Sequence, residues 1–307
     1  MPKINQRIVH SAFYLYASRI EAEAGKDPGG TGFIVGHQET PSGPMFYYAV
    51  SNWHVACDGG YSVIRLNRKD GGVDIIDLDP SEWEFVPGGV DVAVVEIKLD
   101  GRVHLAHSIS TPLFASGNSS IGVGEDVFML GLFADHSGIA TNVPAARFGN
   151  ISMLPSRRAP IQQPTGYNGE CYVIDLHSRS GFSGSPVFAF RTLGSDLTAI
   201  NPGEVEMDNW AGRVTFKLKD NSIMFKFLGI HFGQFPERWE IQKGTSVAEA
   251  KRKHLITDGA YVEGLSGMTC VIPSWRVLEV LNMPRLVERR ARVIERFPSP
   301  KGPKASH

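Results

Sequence analysis

The sequence predicts an all-β fold, a sandwich or barrel with its helices confined to the C-terminal end, and three observations carry that reading. Short apolar runs recur from residue 8 to about 272. Gly, Pro, Asn and Asp stand between them, which is turn chemistry separating strands. Helical periodicity is scarce before residue 273, so the strand–helix alternation of a parallel sheet is missing.

The strands come in order. TGFIVG (31–36) is followed by FYYAVSN (46–52), and YSVIRL (61–66) comes after Gly59 and Gly60. DVAVVEI (91–97) follows Gly88 and Gly89, and DVFMLGL (126–132) opens the second half of the chain. Later come CYVIDL (171–176), SPVFAF (185–190), RVTFKL (213–218) and FKFLGIHF (225–232). At the end, PSWRVLEVLN (273–282) and MPRLVERRARVIERF (283–297) read as helices, with Pro284 marking a break or a new start. The tail at 298–307 has no apolar face and is expected to be disordered.

Composition narrows the function. At 307 residues the chain can bury a substantial core, and 42% hydrophobic with 21% charged residues is ordinary for a soluble globular protein. Lys and Arg number 31 against 32 Asp and Glu, so no global field favours nucleic acid or an anionic membrane. The arginines of the last helix (Arg285, Arg289, Arg290, Arg292 and Arg296) are interrupted by Glu288 and Glu295 and read as a solvated or partner-binding face. The N-terminus lacks the apolar core of a signal peptide, and no run approaches a membrane span. Cys57, Cys171 and Cys270 have neither pairing nor metal spacing, so free thiols in a reducing, cytoplasmic setting are expected. No residue cluster implies a metal or cofactor.

Three segments carry chemistry. Gly181-Phe182-Ser183-Gly184-Ser185-Pro186-Val187 offers a serine on a tight glycine turn. Acyl transfer needs such a hydroxyl beside backbone N–H groups aimed at the developing oxyanion, here those of Gly181 and Ser183. Ser51-Asn52-Trp53-His54-Val55-Ala56 delivers a histidine at a strand end, where a base can rotate onto a nucleophile. Val90-Asp91-Val92-Ala93-Val94 opens an apolar strand with an aspartate that is costly to bury unless a group such as an imidazole N–H pairs with it. Alone, each has a plainer reading: a surface turn, a packed histidine, a capping aspartate. Together they stand in the order His54, Asp91, Ser183, the chain order of chymotrypsin-type triads and not that of subtilisins or α/β-hydrolases.

GTGFIV, SNWHVA, DVAVVEI and GFSGSPV resemble the signature blocks of trypsin-like serine peptidases, especially the bacterial HtrA-type branch. LGIHFG (228–233) and MTCVIPSWRVLEVLN (268–282) are similar to that family's substrate-side strand and closing strand with helix, so the resemblance covers roughly 8–282. It implies two antiparallel six-stranded, chymotrypsin-like β-barrels and a C-terminal helix. The lobes would span 1–115, with His54 and Asp91, and 116–272, with Ser183; helices would fill 273–297. It also implies a serine endopeptidase acting on proteins or peptides without a cofactor. Phe182 departs from the aspartate of secreted trypsins, which argues against activation by a cleaved N-terminus. No PDZ-like domain is expected after residue 282, which argues against HtrA-style oligomeric quality control. Residues 191–225 are long for a hairpin connection and read as a regulatory or docking flap, or a plain hairpin.

Gly229-Ile230-His231-Phe232-Gly233 resembles the Gly-x-His arrangement with which glutamyl endopeptidases and picornaviral main proteases recognise Glu or Gln before the cut bond. His177, Ser178 and Arg179 are expected at the floor of the same pocket. Two rivals stand beside this reading. A degenerate α/β-hydrolase elbow using His231 or His254 lacks a glycine at Ser185 and the required helices. A latent or silent barrel serving as a regulatory module is the other, and a cytosolic protease would need an activating or restraining partner.

Overall fold

The computed structural model describes residues 3–116, 121–178, 181–190, 205–210, 213–218, 225–240 and 261–296. The chain runs through β1 (Ala12–Tyr16), β2 (Gly30–His37), β3 (Phe46–Ser51), β4 (Val63–Asn67), β5 (Val73–Ile76), β6 (Glu84–Phe85), β7 (Ala93–Ile97) and β8 (Ile109–Ser110). These form one eight-stranded sheet, ordered β5-β4-β1-β2-β3-β7-β6 with β8 on β2. Then follow β9 (Asp126–Gly131), β10 (Ala145–Met153), β11 (Ile161–Gln162), β12 (Asn168–Gly169), β13 (Tyr172–Asp175), β14 (Pro186–Phe190), β15 (Val205–Trp210), β16 (Arg213–Leu218), β17 (Phe225–Glu240) and β18 (Tyr261–Pro273). Six of them close a barrel in the order β10-β13-β18-β17-β14-β9, while β11-β12 and β15-β16 are separate hairpins. The chymotrypsin-like class holds. In detail the first lobe is a half-barrel sheet left open between β5 and β6, and only the second lobe closes.

The continuous apolar runs have a physical cause. Along β2, Phe33 and Val35 enter the core between the lobes, while Ile34 enters the interior of the first. Along β7, Val94 faces the inter-lobe core and Ala93 and Val95 face the first-lobe interior. Strands buried on both faces need no polar alternation, which is why they read as unbroken hydrophobic stretches. The lobes meet in an aromatic cluster: ring centroids lie 5.1 Å apart for Phe33–Phe227, 4.7 Å for Phe114–Phe227 and 4.9 Å for Phe128–Phe188.

Two further contacts fix the lobes. Arg65 of β4 is fully buried and donates from Nη1 to Gly138 O (3.2 Å) and Asn142 Oδ1 (3.1 Å), and from Nη2 to Ile139 O. Asn142 returns Nδ2 to Arg65 O at 2.7 Å, so the β9–β10 connection is clamped onto the first lobe. The C-terminal helices, α3 (Ser274–Leu281) and α4 (Pro284–Arg296), agree with the sequence expectation, whereas α1 (Gln6–Val9) and α2 (Arg19–Ala24) were not foreseen. Along α4, Leu286 enters the inter-lobe core. Arg290 is buried against Glu39, Tyr48 Oη (3.2 Å) and Leu281 O (2.8 Å). Arg285 and Arg289 both reach Glu84 at 3.1 Å. The expected solvated or partner-binding arginine face is corrected in part: Arg290, with Arg285 and Arg289, docks the helix onto the first lobe, while Arg292 and Arg296 are exposed. Within 191–225, β15 and β16 pair from Val205↔Leu218 to Trp210↔Arg213. The remainder of that segment, apart from Phe225, lies outside the described residues, as does the tail at 298–307.

Candidate active site

The histidine is set by a helical turn. After β3, Asn52 O accepts from Val55 N (3.3 Å) and Ala56 N (3.0 Å), and His54 becomes the first residue of a one-turn π-helix, His54–Asp58. The first N–H of such a turn has no partner inside it. His54 N–H instead donates to Asp91 Oδ1 at 2.9 Å, while its ring Nδ1 lies 2.6 Å from Asp91 Oδ2. Asp91, just before β7, is fully buried, a position that a carboxylate tolerates only with its lone pairs met. Its own backbone is held from both lobes: N–H donates to Gln163 Oε1 at 2.7 Å, and its carbonyl accepts from Asn52 Nδ2 at 2.8 Å. An acceptor at Nδ1 keeps the proton there and leaves Nε2 as the acceptor on the outer side of the ring, whose side chain is 23% exposed.

The serine loop, residues 181–185, comes from the second lobe. Gly181 and Gly184 both take left-handed backbone angles, with φ of 95° and 84°. A side chain on Gly184 would put Cβ 1.9 Å from Thr31 O, so glycine is required by the close approach of the first lobe. Phe182 is buried in the barrel core beneath the loop, its ring 5.7 Å from the Arg147 guanidinium. Ser183 Oγ and the N–H groups of Gly181 and Ser183 have no hydrogen-bond partner among the described residues. No hydrogen bond joins His54 and Ser183 among the described residues.

The expected pocket histidine is buried. His231 Nε2 lies 2.9 Å from Ser178 Oγ and Nδ1 lies 3.3 Å from Cys270 O. A carbonyl can only accept, so the proton sits on Nδ1 and Nε2 accepts from Ser178. Burial, reinforced by the nearby His54, holds the His231 imidazole down at about 4 against its ordinary 6.5. The folded state therefore loses stability as pH falls from 6.5 towards about 4. The loss reaches about 3 kcal/mol below that window and is absent above it. A His231→Gln variant should unfold with a flatter stability curve between these values, measured by urea denaturation; parallel curves would contradict this protonation state. Gly229 stands opposite Pro273 and Gly233 opposite Cys270 in the β17–β18 ladder. His177 is exposed and turns outward over Gly267, so Ser178 and not His177 meets His231. Arg179 lies outside the described residues.

Thr31, Asn52, Gln163 and Ser178 escaped or barely entered the sequence reading as site residues. Thr31 and Asn52 sit inside the GTGFIV and SNWHVA blocks, Ser178 was named only for the pocket floor, and Gln163 carries no local signal. Among the described residues, no cluster of three or more His, Cys, Asp or Glu could hold a metal, and no helix is long and apolar enough to cross a membrane. Cys57, Cys171 and Cys270 are free, each thiol pushed up to about 12, chiefly by burial.

The chain belongs to the trypsin-like peptidase family, whose model matches residues 30–193, a span that includes His54, Asp91 and Ser183. Among solved structures it is similar to Deg5, with 19% identity, 59% of this chain and 75% of that chain covered, and a TM-score of 0.41. The MamO protease domain from Magnetospirillum magneticum matches with 12% identity over 91% of this chain and 100% of that one, at a TM-score of 0.49. The Rv3671c protease from M. tuberculosis in its active form matches with 16% identity over 88% and 77%, at 0.40. Likenesses this remote carry no activity or substrate over. No curated protein matches the sequence significantly.

Proposed function

We propose that this chain is a serine endopeptidase that cuts peptide bonds through an acyl-enzyme on Ser183. The observation that carries the reading is the buried Asp91 carboxylate holding both the backbone and the ring Nδ1 of His54. Ser183 Oγ attacks the peptide carbonyl carbon as its proton passes to His54 Nε2, and Asp91 steadies the imidazolium. The carbonyl oxygen takes the negative charge and is met by the N–H groups of Gly181 and Ser183. The C–N bond breaks, and His54 gives its proton to the departing amine. Water, losing a proton to His54, then releases the acid and restores Ser183.

His231 and Ser178 form the wall that selects the residue before the cut. The neutral ring has its Nδ1 proton on Cys270 O, so a substrate Gln would displace Ser178 and donate its amide N–H to Nε2. A Glu carboxylate, having no hydrogen to donate, cannot do so at neutral pH. His231→Ala should lower the preference for Gln over Leu by about tenfold in kcat/KM, the worth of one buried hydrogen bond. Peptide-library profiling reads this, and an unchanged cleavage pattern would remove His231 from specificity.

Cleavage itself is tested by incubating the wild-type chain and Ser183→Ala with that library. Products from the wild type alone support the proposal, and equal products from both overturn it. The open His54–Ser183 contact favours a second reading, a latent peptidase that closes this bond when a regulatory protein partner or the substrate binds. A cytoplasmic setting, with few natural targets, fits its free thiols.

A further inference from the structure

We propose that Thr31 is a positioning residue for the nucleophile loop, tying it to the strand that carries the base. The inference rests on the serine-peptidase reading above. Thr31 lies on β2 of the first lobe, is fully buried, and uses every polar atom it has. Its N–H donates to Ser183 O at 2.9 Å, and its hydroxyl donates to Gly181 O at 2.8 Å. The same hydroxyl accepts from Leu132 N–H at 2.8 Å, and its carbonyl accepts from Ser51 Oγ at 2.7 Å. The directions are unambiguous, because Gly181 O can only accept and Leu132 N–H can only donate.

The placement of these bonds gives the role. Gly181 and Ser183 supply the two amides proposed to hold the oxyanion, and Thr31 pins the carbonyl of each. A loop with left-handed glycines at both 181 and 184 has wide conformational freedom unless something outside it restrains it. Its other restraints, Ser185 N–H to Phe182 O (3.0 Å) and Gly184 N–H to His231 O (2.9 Å), come from the second lobe. Thr31 supplies the restraint from the first lobe, through Ser51, three positions before His54. Nucleophile and base sit on different lobes, so this path sets their register. The hydroxyl, and not merely the buried bulk, is the operative group.

The test uses the full chain as wild type, Thr31→Val, which keeps the shape and removes the hydroxyl, and Thr31→Ser, which keeps the hydroxyl. Each is assayed on a Gln-containing peptide and against a peptide boronate. The Ser183 oxygen adds to the trigonal boron, its proton passes to His54, and the tetrahedral boronate places an oxygen at the two amides. Boronate titration also counts the folded, competent sites, so a partly unfolded variant is corrected for. For Thr31→Val the expected result is a fall in kcat of roughly 10- to 100-fold with KM within about threefold, from a displaced loop. The boronate inhibition constant should rise by the same factor as kcat/KM falls, a proportionality that simple loss of folded protein would not produce. Thr31→Ser should stay within about threefold of the wild type. The inference alone is overturned by a wild-type rate in Thr31→Val, by a change confined to KM, or by Thr31→Ser failing as badly as valine. A wild type that neither cleaves the peptide nor binds the boronate overturns the proposed function and this inference with it.

Discussion

Ser183→Ala is expected to lower kcat by about a million-fold, leaving only the slow turnover that binding and backbone amides can support. The size follows from the chemistry: without Oγ there is no acyl-enzyme, and His54 and Asp91 have no hydroxyl to activate. The fold should not notice. Ser183 Oγ makes no hydrogen bond among the described residues, so its loss removes no stabilising contact there. The melting temperature is expected within about 2 °C of the wild type. Steady-state hydrolysis and a thermal melt on the same preparation check both halves, and a variant that is inactive because it is unfolded would be recognised at once.

Asp91→Asn should reduce kcat by about ten-thousand-fold with little change in KM. His54 N–H donates to Oδ1, so the amide oxygen of the variant keeps that place and the amide nitrogen turns to the ring. Facing an NH2 donor, Nδ1 must become the acceptor and the proton moves to Nε2. A protonated Nε2 cannot take the proton of Ser183, so the histidine is present, well placed and in the wrong tautomer. Asp91→Ala, which removes both contacts, should in addition destabilise the His54–Asp58 turn. If Asp91→Asn retains more than a tenth of the wild-type kcat, the carboxylate does not govern the histidine.

Much of this was legible in the sequence, and the limits have physical reasons. Strands such as β2 and β7 were readable because burial on both faces leaves unbroken apolar runs. β10 was not, because its residues alternate between half-buried and exposed, with Gly149 and Asn150 in mid-strand. The extension of β17 to Glu240 was likewise hidden beyond the apolar FKFLGIHF. The order His54, Asp91, Ser183 pointed to the proposed chemistry, since each residue stands in a distinctive local block. What no local pattern could disclose was the support around them. Thr31 Oγ1 meets partners 101 and 150 positions away, and Gln163 holds Asp91 from 72 positions away. Arg285, Arg289 and Arg290 of α4 misled because charge interrupted by glutamate looks solvated until the acids of the first lobe, Glu39 and Glu84, are seen beneath them.

The central claim is that Ser183 is an assembled nucleophile, and labelling with a fluorophosphonate tests it most directly. The Ser183 oxygen displaces fluoride from phosphorus, its proton passes to His54, and a stable phosphonyl ester remains, which peptide mapping by mass spectrometry locates. The account predicts one adduct, on Ser183, lost in Ser183→Ala and strongly slowed in Asp91→Asn. A folded wild-type protein left unlabelled at Ser183, or labelled equally in Ser183→Ala, would contradict it.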